Sequence, residues 1–470
     1  MAQSHDLVII GGGPGGYVCA IRAAQLGLDV ACVEKTPNLG GVCLNVGCIP
    51  SKALLHSSRL YAEIRDGLSE HGITATAKLD LAAMMARKER VVDSLARGVE
   101  GLFKKNKVTR YDGVAHLAGK GRVAIEGGPT LQADSIAIAT GSTPVALPGL
   151  AFDEKRILSS TGALSLEKVP KHLAVIGGGY IGLEMGSVWR RLGAQVTVIE
   201  MLDGILPGMD REVARVMRRA LEKQGVTFRL ATRVSEAKAG RGGLRLSLAA
   251  AGDGGTGAKA DGPDTLAVDG VLVAVGRKPV SDGLGLEAAG VETDGRGFIT
   301  VSDGFRTSAD DVYAIGDVIG GPMLAHKAEE EGVALAERLA GLPGHVNYAT
   351  VPGVVYTHPE AATVGRSEEA LKEAGIAYTV GKFPFTASSR ARAVGESEGL
   401  VKILADAKSD RILGCHIVGP DAGTLIHEAV MAMEFDGSAE DVARAFHAHP
   451  TLNESVKEAA LAVAGRAIHI

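Results

Sequence analysis

Only five of the 470 residues are cysteines, which excludes a small secreted domain held together by a framework of disulfides. A structural zinc site is excluded as well, because Cys43 and Cys48 have no second cysteine pair or matched histidines to complete a ligand set. The other three, Cys19, Cys32 and Cys415, do not supply one. We therefore expect no metal site and a reducing, cytoplasmic setting, in which a single disulfide is more often catalytic than structural.

Long apolar runs and basic runs are also missing. No stretch approaches the ~18 consecutive apolar residues that a membrane-spanning helix needs. A formal net charge of −5, without basic runs interleaved with aromatic residues, argues against a nucleic-acid surface. The chain enters an apolar strand pattern within its first ten residues, so we expect no leader peptide. These absences predict a soluble protein without membrane or nucleic-acid partners, and its length suggests about three or four domains.

A glycine-rich turn follows the first apolar run. Residues 7–16 read LVIIGGGPGG and place Gly11, Gly13 and Gly16 in the GxGxxG spacing. A helical stretch follows, and then a second strand that ends at Glu34. One such motif is weak evidence, although strand, turn, helix, strand and a terminal acid are the order that a dinucleotide-binding unit requires.

The same pattern occurs a second time. Residues 173–182 read LAVIGGGYIG, with Gly177, Gly179 and Gly182 in the same spacing and a later strand that ends at Glu200. The offset is constant, from 11 to 177 and from 34 to 200. Two copies of the whole unit are strong evidence for two dinucleotide sites.

The chemistry of both units is the same. Glycines let the backbone approach a pyrophosphate at a helix N-terminus, and the terminal carboxylate accepts hydrogen bonds from ribose hydroxyls. Glu200 therefore favours NAD over NADP, whose 2′-phosphate it would repel, and Arg190 and Arg191 precede the position where they would bind that phosphate. The alternative for either acid is a solvated carboxylate at a strand end.

The segment GGVCLNVGCIPSK, residues 40–52, carries a candidate redox-active disulfide. Cys43 and Cys48 would be about 140° out of phase on a regular helix, so a bond between them needs a distorted helix start. Gly47 and the following proline provide for such a distortion. Lys52 and the helix N-terminus would favour a thiolate. The alternative is a pair of buried apolar cysteines in a glycine-rich loop.

From these motifs the chain resembles the pyridine nucleotide–disulfide oxidoreductases over essentially its whole length. It is most similar to the members that oxidise dihydrolipoamide, and Ser51 stands where glutathione reductases usually carry lysine. Val280 and Asn453 depart from the asparagine and serine usual in the family. Five further segments carry the resemblance: ATGS (139–142), AVGRKP (274–279), TSADDVYAIGDV (307–318), MLAHKAEEEG (323–332) and FHAHPTLNE (446–454).

The resemblance implies two cofactors, FAD in the first unit and NAD in the second. Asp317 would hold the ribityl chain of the flavin. The expected cofactor-binding residues are Gly11, Gly13, Gly16, Glu34, Lys52, Thr140, Gly141, Asp317 and Ala325, with Gly177, Gly179, Tyr180, Gly182, Glu184, Glu200 and Gly276.

The resemblance also assigns a catalytic histidine–carboxylate pair to His449 and Glu454. A histidine titrates near neutral pH, and a carboxylate on its second nitrogen fixes its tautomer and orientation. The residues alone do not separate His449 from His447 in the same segment. The expected catalytic residues are this pair with Cys43, Cys48, Lys52 and Glu184.

Three further residues carry a role and an alternative. By resemblance, Tyr180 would cover the flavin until nicotinamide displaces it, and Glu184 would lie near the nicotinamide. Lys52 would pair with Glu184 and set the charge around the flavin ring. Each has a structural alternative. Tyr180 would be an aromatic residue packed at the turn, and Glu184 an acid that interacts favourably with the helix dipole. Lys52 would be a solvated lysine.

The predicted fold class is α/β: two Rossmann-like dinucleotide-binding domains, for FAD and NAD, and a C-terminal α+β dimerisation domain. Helices are expected over 51–66 and 80–105, strands within 353–365 and 398–406, helices from 421 onward, and a hairpin with a floppy tip over 237–263. The expected domains are 1–148 (FAD, first part), 149–275 (NAD), 276–349 (FAD, second part) and 350–470 (interface).

The predicted function is oxidation of protein-bound dihydrolipoamide with reduction of NAD⁺ through the disulfide. The expected partners are lipoyl domains of 2-oxo acid dehydrogenase or glycine cleavage complexes, and a second copy of the chain, since the family arrangement brings His449 to the other subunit's disulfide. The alternatives are a glutathione reductase-like enzyme and a catalytically idle flavoprotein scaffold subunit.

Overall fold

The computed structural model describes residues 3–240, 243–251 and 264–470. Its helices are α1 (Pro14–Gln25), α2 (Gly41–Val46), α3 (Cys48–Ala62), α4 (Leu81–Asn106), α5 (Ser160–Ala163), α6 (Tyr180–Arg191), α7 (Arg211–Lys223), α8 (Leu286–Ala289), α9 (Ala325–Leu339), α10 (Glu368–Glu373), α11 (Ser389–Ala393), α12 (Ala422–Glu434), α13 (Ala439–Arg444) and α14 (Glu454–Val463).

The strands, in chain order, are β1 (Gln3–Ile10), β2 (Val30–Glu34), β3 (Thr109–Asp112), β4 (Ala115–Leu117), β5 (Arg122–Ile125), β6 (Thr130–Ile138), β7 (Ser142–Pro144), β8 (Ile157–Leu158), β9 (His172–Ile176), β10 (Gln195–Ile199), β11 (Val226–Arg229), β12 (Thr232–Gly240), β13 (Gly243–Ala250), β14 (Thr265–Val268), β15 (Gly270–Val273), β16 (Arg277–Pro279), β17 (Val312–Ala314), β18 (Gly353–Val355), β19 (Glu360–Gly365), β20 (Tyr378–Pro384), β21 (Leu400–Asp406) and β22 (Ile412–Gly419).

The chain divides into two compact units. The first contains the described residues up to Ala53, Ala82–Val145 and Gly276–Val346. Its sheet has the order β3-β2-β1-β6-β5-β4, and β17 also pairs with β6. The pairs joining β3, β2, β1, β6 and β17 are parallel, and β4 and β5 are attached by antiparallel pairs. The second half of β1 (LVII, residues 7–10) and most of β2 (VACVE) are apolar and buried, as expected where both faces of a parallel sheet are covered.

Helices α1 and α9 pack together in the first unit. Gly332 of α9 lies so close to α1 that an added Cβ would come within 2.6 Å of the Gly15 carbonyl oxygen. Cys19, Ala20 and Ala23 of α1 are buried in the core on this side of the sheet. The small residues therefore bring the N-terminal part of α1 close to a segment more than 300 residues later in the chain.

The second unit contains Leu54–Leu81, the described part of Ala146–Val275, and Asn347–Ile470. Its first sheet has the order β11-β10-β9-β15-β8, with every pair parallel. Helix α6 follows β9 directly, as α1 follows β1 in the first unit. The two parallel sheets with crossover helices confirm the predicted pair of Rossmann-like domains.

The C-terminal part of the second unit is an antiparallel sheet with the order β18-β19-β22-β21-β20. Helices α12 and α14 pack on it and bury Leu425, Ile426 and Val456. The predicted strand over 353–365 is divided into β18 and β19, because Pro359 offers no N–H to a ladder. This antiparallel sheet with its helices confirms the predicted α+β domain.

Strands β12 and β13 pair antiparallel and β14 joins them, which confirms the hairpin expected within 237–263. Residues 241–242 and 252–263 of that segment lie outside the described residues, so the predicted floppy tip is not tested. Within the described ranges, no helix combines the length and apolarity that crossing a bilayer requires.

The helices expected over 51–66 and 80–105 are present as α3 and α4. Helix α3 begins earlier than expected, at Cys48, and its α-helical part ends at Ala62. A π-helical turn over Glu63–Gly67 and a 3₁₀ turn over Leu68–His71 continue it.

Candidate active site

The first glycine turn joins β1 to α1 and is closed by a carboxylate. Gly11 has φ +108°, and a Cβ there would lie 2.5 Å from the Ala139 carbonyl oxygen, so only glycine fits. The backbone N–H of Gly12 donates to Glu34 Oε2 at 2.8 Å. The other oxygen of Glu34 accepts from the Thr36 backbone N–H, also at 2.8 Å. The acid at the end of β2 thus fixes the turn after β1.

The second glycine turn, between β9 and α6, has the same construction. Gly177 also has φ +108°, and a Cβ there would lie 2.4 Å from the Ala274 carbonyl oxygen. Gly178 N–H donates to Glu200 Oε2 at 2.7 Å, and Leu202 N–H donates to Oε1 at 2.8 Å. Every partner along these hydrogen bonds lies 166 positions after its counterpart in the first turn, so the sequence repeat extends to the contacts.

Both turns leave the helix N-terminus open to the pyrophosphate of a ligand. Gly13 and Gly179 precede α1 and α6, and no side chain caps either helix. At Gly16 and Gly182 an added Cβ would lie 1.8 Å and 2.1 Å from a carbonyl oxygen of the turn. Glu34 and Glu200 are both buried, so neither is a solvated carboxylate at a strand end. The residues present therefore fit two pyrophosphate-containing dinucleotides.

The disulfide segment has the distortion that the spacing requires. Cys43 in α2 and Cys48 at the start of α3 are disulfide-bonded, with their Cα atoms 4.7 Å apart. Gly47, with φ −140° and ψ −110°, separates the two helices. A Cβ at Gly47 would lie 2.8 Å from the Val42 carbonyl oxygen. The break brings together two cysteines that a continuous helix would hold on different faces.

Ser51 and Lys52 follow Pro50 in α3. Ser51 Oγ donates to the Cys48 carbonyl oxygen at 2.9 Å, and Ser51 N–H donates to the Gly47 carbonyl oxygen at 3.1 Å. Lys52 is half-buried and lies one turn after Cys48, on the same face of α3. This spacing places Lys52 in the first turns of the helix that begins at Cys48, where positive charge favours a thiolate.

The other cysteines are core residues. Cys19, Cys32 and Cys415 are completely buried and form no disulfide. Burial raises the pKa of the Cys19 thiol to about 12, and it also raises the pKa values of Cys32 and Cys415. All three stay protonated and unreactive at neutral pH, in contrast to the disulfide pair.

Asp317 follows β17 and is held by a relay of polar groups. Ser142 Oγ donates to Asp317 Oδ2 at 2.5 Å. Arg277 in turn donates from Nε to Ser142 Oγ and from Nη2 to the Ser142 carbonyl oxygen, both at 2.7 Å. Burial lowers the pKa of Arg277, while the charge of Asp317 opposes this shift. The relay joins three segments and fixes the carboxylate assigned to the ribityl chain.

A buried ion pair holds the turn that contains Asp317. Lys327 Nζ lies 3.0 Å from Glu331 Oε1 on α9, and both side chains are buried. Glu331 Oε2 accepts from the Gly316 backbone N–H at 2.7 Å, and Lys327 donates to the Gly320 carbonyl oxygen at 2.9 Å. The pair therefore forms hydrogen bonds at both ends of the 3₁₀ turn over Gly316–Ile319. Ala325 is the first residue of the same helix.

The two short segments expected near the flavin pair with each other as β7 and β16. Thr140 Oγ1 donates to the Val280 carbonyl oxygen at 2.6 Å, and Val280 N–H donates to the Gly141 carbonyl oxygen at 2.9 Å. The Gly276 carbonyl oxygen accepts from Val145 N–H at 3.1 Å. Because Val280 contributes only backbone groups, its departure from the usual asparagine leaves these contacts intact.

Tyr180 and Glu184 lie on the first two turns of α6. Tyr180 is half-buried, burial raises its pKa, and its hydroxyl lies close enough to Gly353 to exclude a Cβ there. Glu184 is buried, and its Oε1 accepts from the Tyr356 backbone N–H at 3.0 Å. Glu184 therefore has a specific buried partner in addition to any interaction with the helix dipole. The pairing of Glu184 with Lys52 stays a prediction.

His449 has the geometry of a general base. Its Nδ1 lies 2.9 Å from Glu454 Oε1, and the other oxygen of Glu454 accepts from the Thr451 backbone N–H at 2.8 Å. Burial opposes ionisation of Glu454, but the Thr451 N–H and His449 outweigh it, so the pKa of Glu454 lies below its usual value. The His449 side chain is 72% exposed, and its Nε2 has no partner among the described residues. This nitrogen is open to a substrate proton.

His447 is placed differently. Its side chain is 6% exposed, and both ring nitrogens are occupied, Nδ1 by the Ala445 carbonyl oxygen at 3.0 Å and Nε2 by Glu428 Oε1 at 2.5 Å. It cannot accept a proton from a substrate. Asn453, which stands in place of the usual serine, donates to Glu428 Oε2 at 3.0 Å. The geometry supports His449, which the residues alone did not separate from its neighbour.

Sequence reasoning missed the residues that support the site. Ser142 and Arg277 lay within segments that carry the resemblance, but nothing in the sequence linked them to Asp317. Lys327 and Glu331 are four positions apart, a spacing typical of helical ion pairs, and this signal was available. No signal in the sequence marked Glu428.

Comparison with known proteins agrees with this architecture. The family model described as pyridine nucleotide-disulphide oxidoreductase matches residues 5–332, and that of the corresponding dimerisation domain matches residues 351–460. Dihydrolipoyl dehydrogenase 1, mitochondrial, from Arabidopsis thaliana is 55% identical over 100% of this chain and 92% of its own length. Dihydrolipoyl dehydrogenase 3 from Pseudomonas putida is 54% identical, with 100% of both chains covered.

Among solved structures, LpdA from Mycobacterium tuberculosis superposes with a TM-score of 0.88 at 27% identity, covering 98% of this chain and 99% of that one. The two family models together span most of the chain, and the full-length relatives are far above the identity at which a family is shared. The chain belongs to the pyridine nucleotide–disulphide oxidoreductase family.

Proposed function

We propose that this protein oxidises dihydrolipoamide to lipoamide and reduces NAD⁺ to NADH, through the Cys43–Cys48 disulfide and a bound FAD. The disulfide carries the proposal, because two cysteines bonded across a break between helices, with a lysine one turn after the second, suit dithiol exchange. The 54–55% identity to dihydrolipoyl dehydrogenases over the full chain supports the choice of dithiol.

The first half of the reaction is thiol–disulfide exchange. His449 Nε2 takes a proton from one thiol of dihydrolipoamide, while Glu454 stabilises the imidazolium that forms. The thiolate attacks the Cys43 sulfur, the Cys43–Cys48 bond breaks, and Cys48 leaves as a thiolate. The second substrate thiol then attacks the substrate sulfur of the mixed disulfide, which releases lipoamide and leaves both cysteines reduced.

FAD, when bound, supplies the two-electron relay from the reduced cysteine pair to NAD⁺. The residues around Gly11 and Glu34, with Asp317 and Ala325, would hold FAD, and those around Gly177 and Glu200 would hold NAD⁺. Two electrons and two protons leave the dithiol, NAD⁺ takes a hydride, and one proton is released. Lys52, four residues after Cys48 on α3, would supply positive charge that favours a thiolate at Cys48.

The active site is shared between two copies of the chain in this proposal. Residues 351–460 match the family's dimerisation domain, and Phe446, Phe435 and Met431 expose large apolar surfaces in this part of the chain. Large exposed apolar side chains in a segment that matches a dimerisation domain support a protein interface there. His449 lies three residues after Phe446, so we place it at the interface, where it serves the disulfide of the partner subunit.

Lipoyl domains of 2-oxo acid dehydrogenase or glycine cleavage complexes are the proposed donors. The proposed domains are 1–148, 149–275, 276–349 and 350–470. The cytoplasmic location stays a prediction, since the curated relatives include mitochondrial proteins.

A glutathione reductase-like activity is the weaker alternative. Glu200, buried at the end of β10, would repel the 2′-phosphate of NADPH, and Ser51 differs from the lysine expected there. An idle scaffold subunit is the other alternative, and a retained complex without turnover would favour it.

The test is NADH formation from NAD⁺ by the purified flavoprotein, with dihydrolipoamide or reduced glutathione as the donor. We expect turnover with dihydrolipoamide alone, and a loss of roughly 10³-fold or more in Cys43→Ser, the scale on which removal of a covalent nucleophile acts. His345→Gln, a change at an exposed position, controls for the effect of producing and purifying a variant and should have wild-type activity. Turnover that survives in Cys43→Ser would overturn the role of the disulfide, and turnover with glutathione would overturn the substrate.

A further inference from the structure

A second histidine–carboxylate pair lies beside the first. His447 Nε2 is 2.5 Å from Glu428 Oε1 on α12, and its Nδ1 is 3.0 Å from the Ala445 carbonyl oxygen. The ring is buried, whereas the ring of His449 is exposed. Two histidines separated by one residue therefore have opposite environments, and the mechanism above uses only one of them.

The contacts of His447 define its protonation state. A carbonyl oxygen and a carboxylate are both acceptors, and a neutral imidazole has only one N–H to offer them. Only the doubly protonated ring satisfies both partners. In the neutral form, one ring nitrogen would point its lone pair at an oxygen in a buried place, which is unfavourable.

The charged groups that act on His447 are Glu428 of α12 and Lys457 of α14. Glu428 of α12 raises the pKa of His447 through its hydrogen bond, while burial and Lys457 of α14 oppose this shift. Lys457 Nζ donates to the same Ala445 carbonyl oxygen at 3.2 Å. Cys415 of β22 is near Glu428, but burial raises the pKa of this thiol and it stays neutral. The cation on His447 is thus balanced mainly by Glu428.

Glu428 also contacts the other side of the same segment. Its Oε2 accepts from Asn453 Nδ2 at 3.0 Å, and Asn453 directly precedes α14. The segment between α13 and α14, residues 445–453, contains no regular helix or strand. The Glu428 carboxylate therefore contacts this segment on both sides of His449, at His447 and at Asn453.

We propose that Glu428 and the imidazolium of His447 form a clamp that positions His449 for proton transfer. His447 is a positioning residue in this account, and it exchanges no proton with the substrate. The clamp rests on the proposed function, because it acts on the general base of that reaction. When the pH rises until His447 loses its proton, the clamp opens and His449 loses its fixed orientation.

The variants that test the clamp are His447→Gln and Glu428→Gln, with His5→Gln as the matched control. His5 is also a buried histidine beside a carboxylate, with Nδ1 3.0 Å from Asp29, but it lies at the start of β1. We expect His447→Gln to lower kcat/KM for dihydrolipoamide by roughly 10- to 100-fold, the cost of a general base that is present but poorly oriented. Reduction of ferricyanide by NADH, which needs no dithiol, should change by less than about twofold.

The pH profile separates positioning from a general loss of structure. Wild type should lose activity at alkaline pH as His447 deprotonates. Glu428→Gln should move this alkaline limb to lower pH by about one unit or more, because a neighbouring opposite charge shifts a pKa by that amount. His447→Gln, which has no proton to lose at this position, should lack the limb. An unchanged profile in both variants would overturn the proposal.

Hydrogen–deuterium exchange gives a readout that does not depend on turnover. Uptake by residues 445–453, corrected for the intrinsic effect of pH, should rise in wild type above the pKa of His447 and should be high at every pH in His447→Gln. If the wild-type protein lacked dihydrolipoamide turnover yet showed this exchange pattern, the proposed function and the catalytic role of the clamp would fail, while the effect of His447 on the order of residues 445–453 would stand. If turnover were normal and the exchange independent of both pH and His447, only the clamp would fail.

Discussion

The backbone N–H of Gly178 donates a 2.7 Å hydrogen bond to the carboxylate of Glu200. This bond ties the acid at the end of one strand to the glycine turn at the end of its neighbour. The first unit contains the same bond between Gly12 and Glu34. In each unit the acid expected to bind a ribose therefore also shapes the turn expected to bind the pyrophosphate.

Glu200 should set the preference for NAD⁺ over NADP⁺. A 2′-phosphate beside this buried carboxylate would be repelled, so Glu200→Gln, which removes the charge and retains the size, should reduce the kcat/KM ratio of the two nucleotides by roughly 10-fold or more. Steady-state kinetics with both nucleotides measures this ratio. The control is Glu34→Gln, the equivalent change in the first unit, which should leave the ratio unchanged. Equal ratios in wild type and Glu200→Gln would contradict the assignment.

The ion pair of Lys327 and Glu331 should be required for flavin retention. Removal of one partner leaves the other charged and buried and releases the turn that carries Asp317, so Lys327→Met should cost about 3–5 kcal/mol of stability. Thermal unfolding and the flavin absorbance of the purified protein measure both effects. Glu330→Gln, an exposed change on the same helix, is the control. A Lys327→Met protein with wild-type stability and flavin content would show that the pair has no such role.

Ser142 should strengthen flavin binding through Asp317. Ser142→Ala removes the donor to Oδ2 and leaves Arg277 without one of its acceptors, at a cost of about 1–2 kcal/mol, or roughly 5- to 30-fold in FAD affinity. The measurement is FAD rebinding to deflavinated protein. Ser281→Ala, which removes a hydroxyl that donates to the Gly297 carbonyl oxygen, should have little effect. Equal FAD affinities in the two variants would argue against the relay.

Acid should destabilise the protein through a buried cluster in the second unit. Lys402 Nζ lies 2.9 Å from Asp210 and 2.6 Å from Glu368. Hydrogen bonds from Lys372 and then Lys402 lower the pKa of Glu368 to about 2, from an ordinary value of 4.5. A carboxylate with a lowered pKa stabilises the folded state above its unfolded pKa, and this contribution is lost as the pH falls. It is therefore complete above about pH 4.5 and disappears toward pH 2.

Glu368→Gln should therefore melt at a lower temperature than wild type at pH 6, and the difference should shrink as the pH falls from 4.5. Thermal unfolding at a series of pH values measures it. Glu373→Gln, an exposed change on the same short helix, should follow the wild-type curve. A difference that stays constant from pH 6 to pH 3 would mean that the charge of Glu368 is not responsible.

Local sequence patterns predicted the parts of this structure that local geometry controls. The two glycine turns, with positive φ at Gly11 and Gly177, follow from the residues alone. The break at Gly47 was expected because the cysteine spacing does not fit a continuous helix. Each feature depends on residues within about 30 positions of each other, and the turn chemistry leaves few alternatives.

The supporting contacts could not be predicted because their partners are distant in the chain. Ser142 and Asp317 are 175 positions apart, and only the packed fold brings them together. His447 and His449 have nearly the same sequence surroundings, and their roles differ because Glu428, on another helix, occupies one ring and not the other. The division of 353–365 into two strands was visible in Pro359, but only the antiparallel pairing showed where each strand ends.

The central claim, that electrons from dihydrolipoamide enter through the Cys43–Cys48 disulfide, can be measured directly. The oxidised flavoprotein is mixed without oxygen with a small excess of dihydrolipoamide, alkylated, and mapped by mass spectrometry of its peptides. We expect new alkylation at Cys43 and Cys48 and none at the buried Cys19, Cys32 and Cys415. Reduced flavin without alkylation of Cys43 and Cys48 would contradict the account, because the electrons would have bypassed the disulfide.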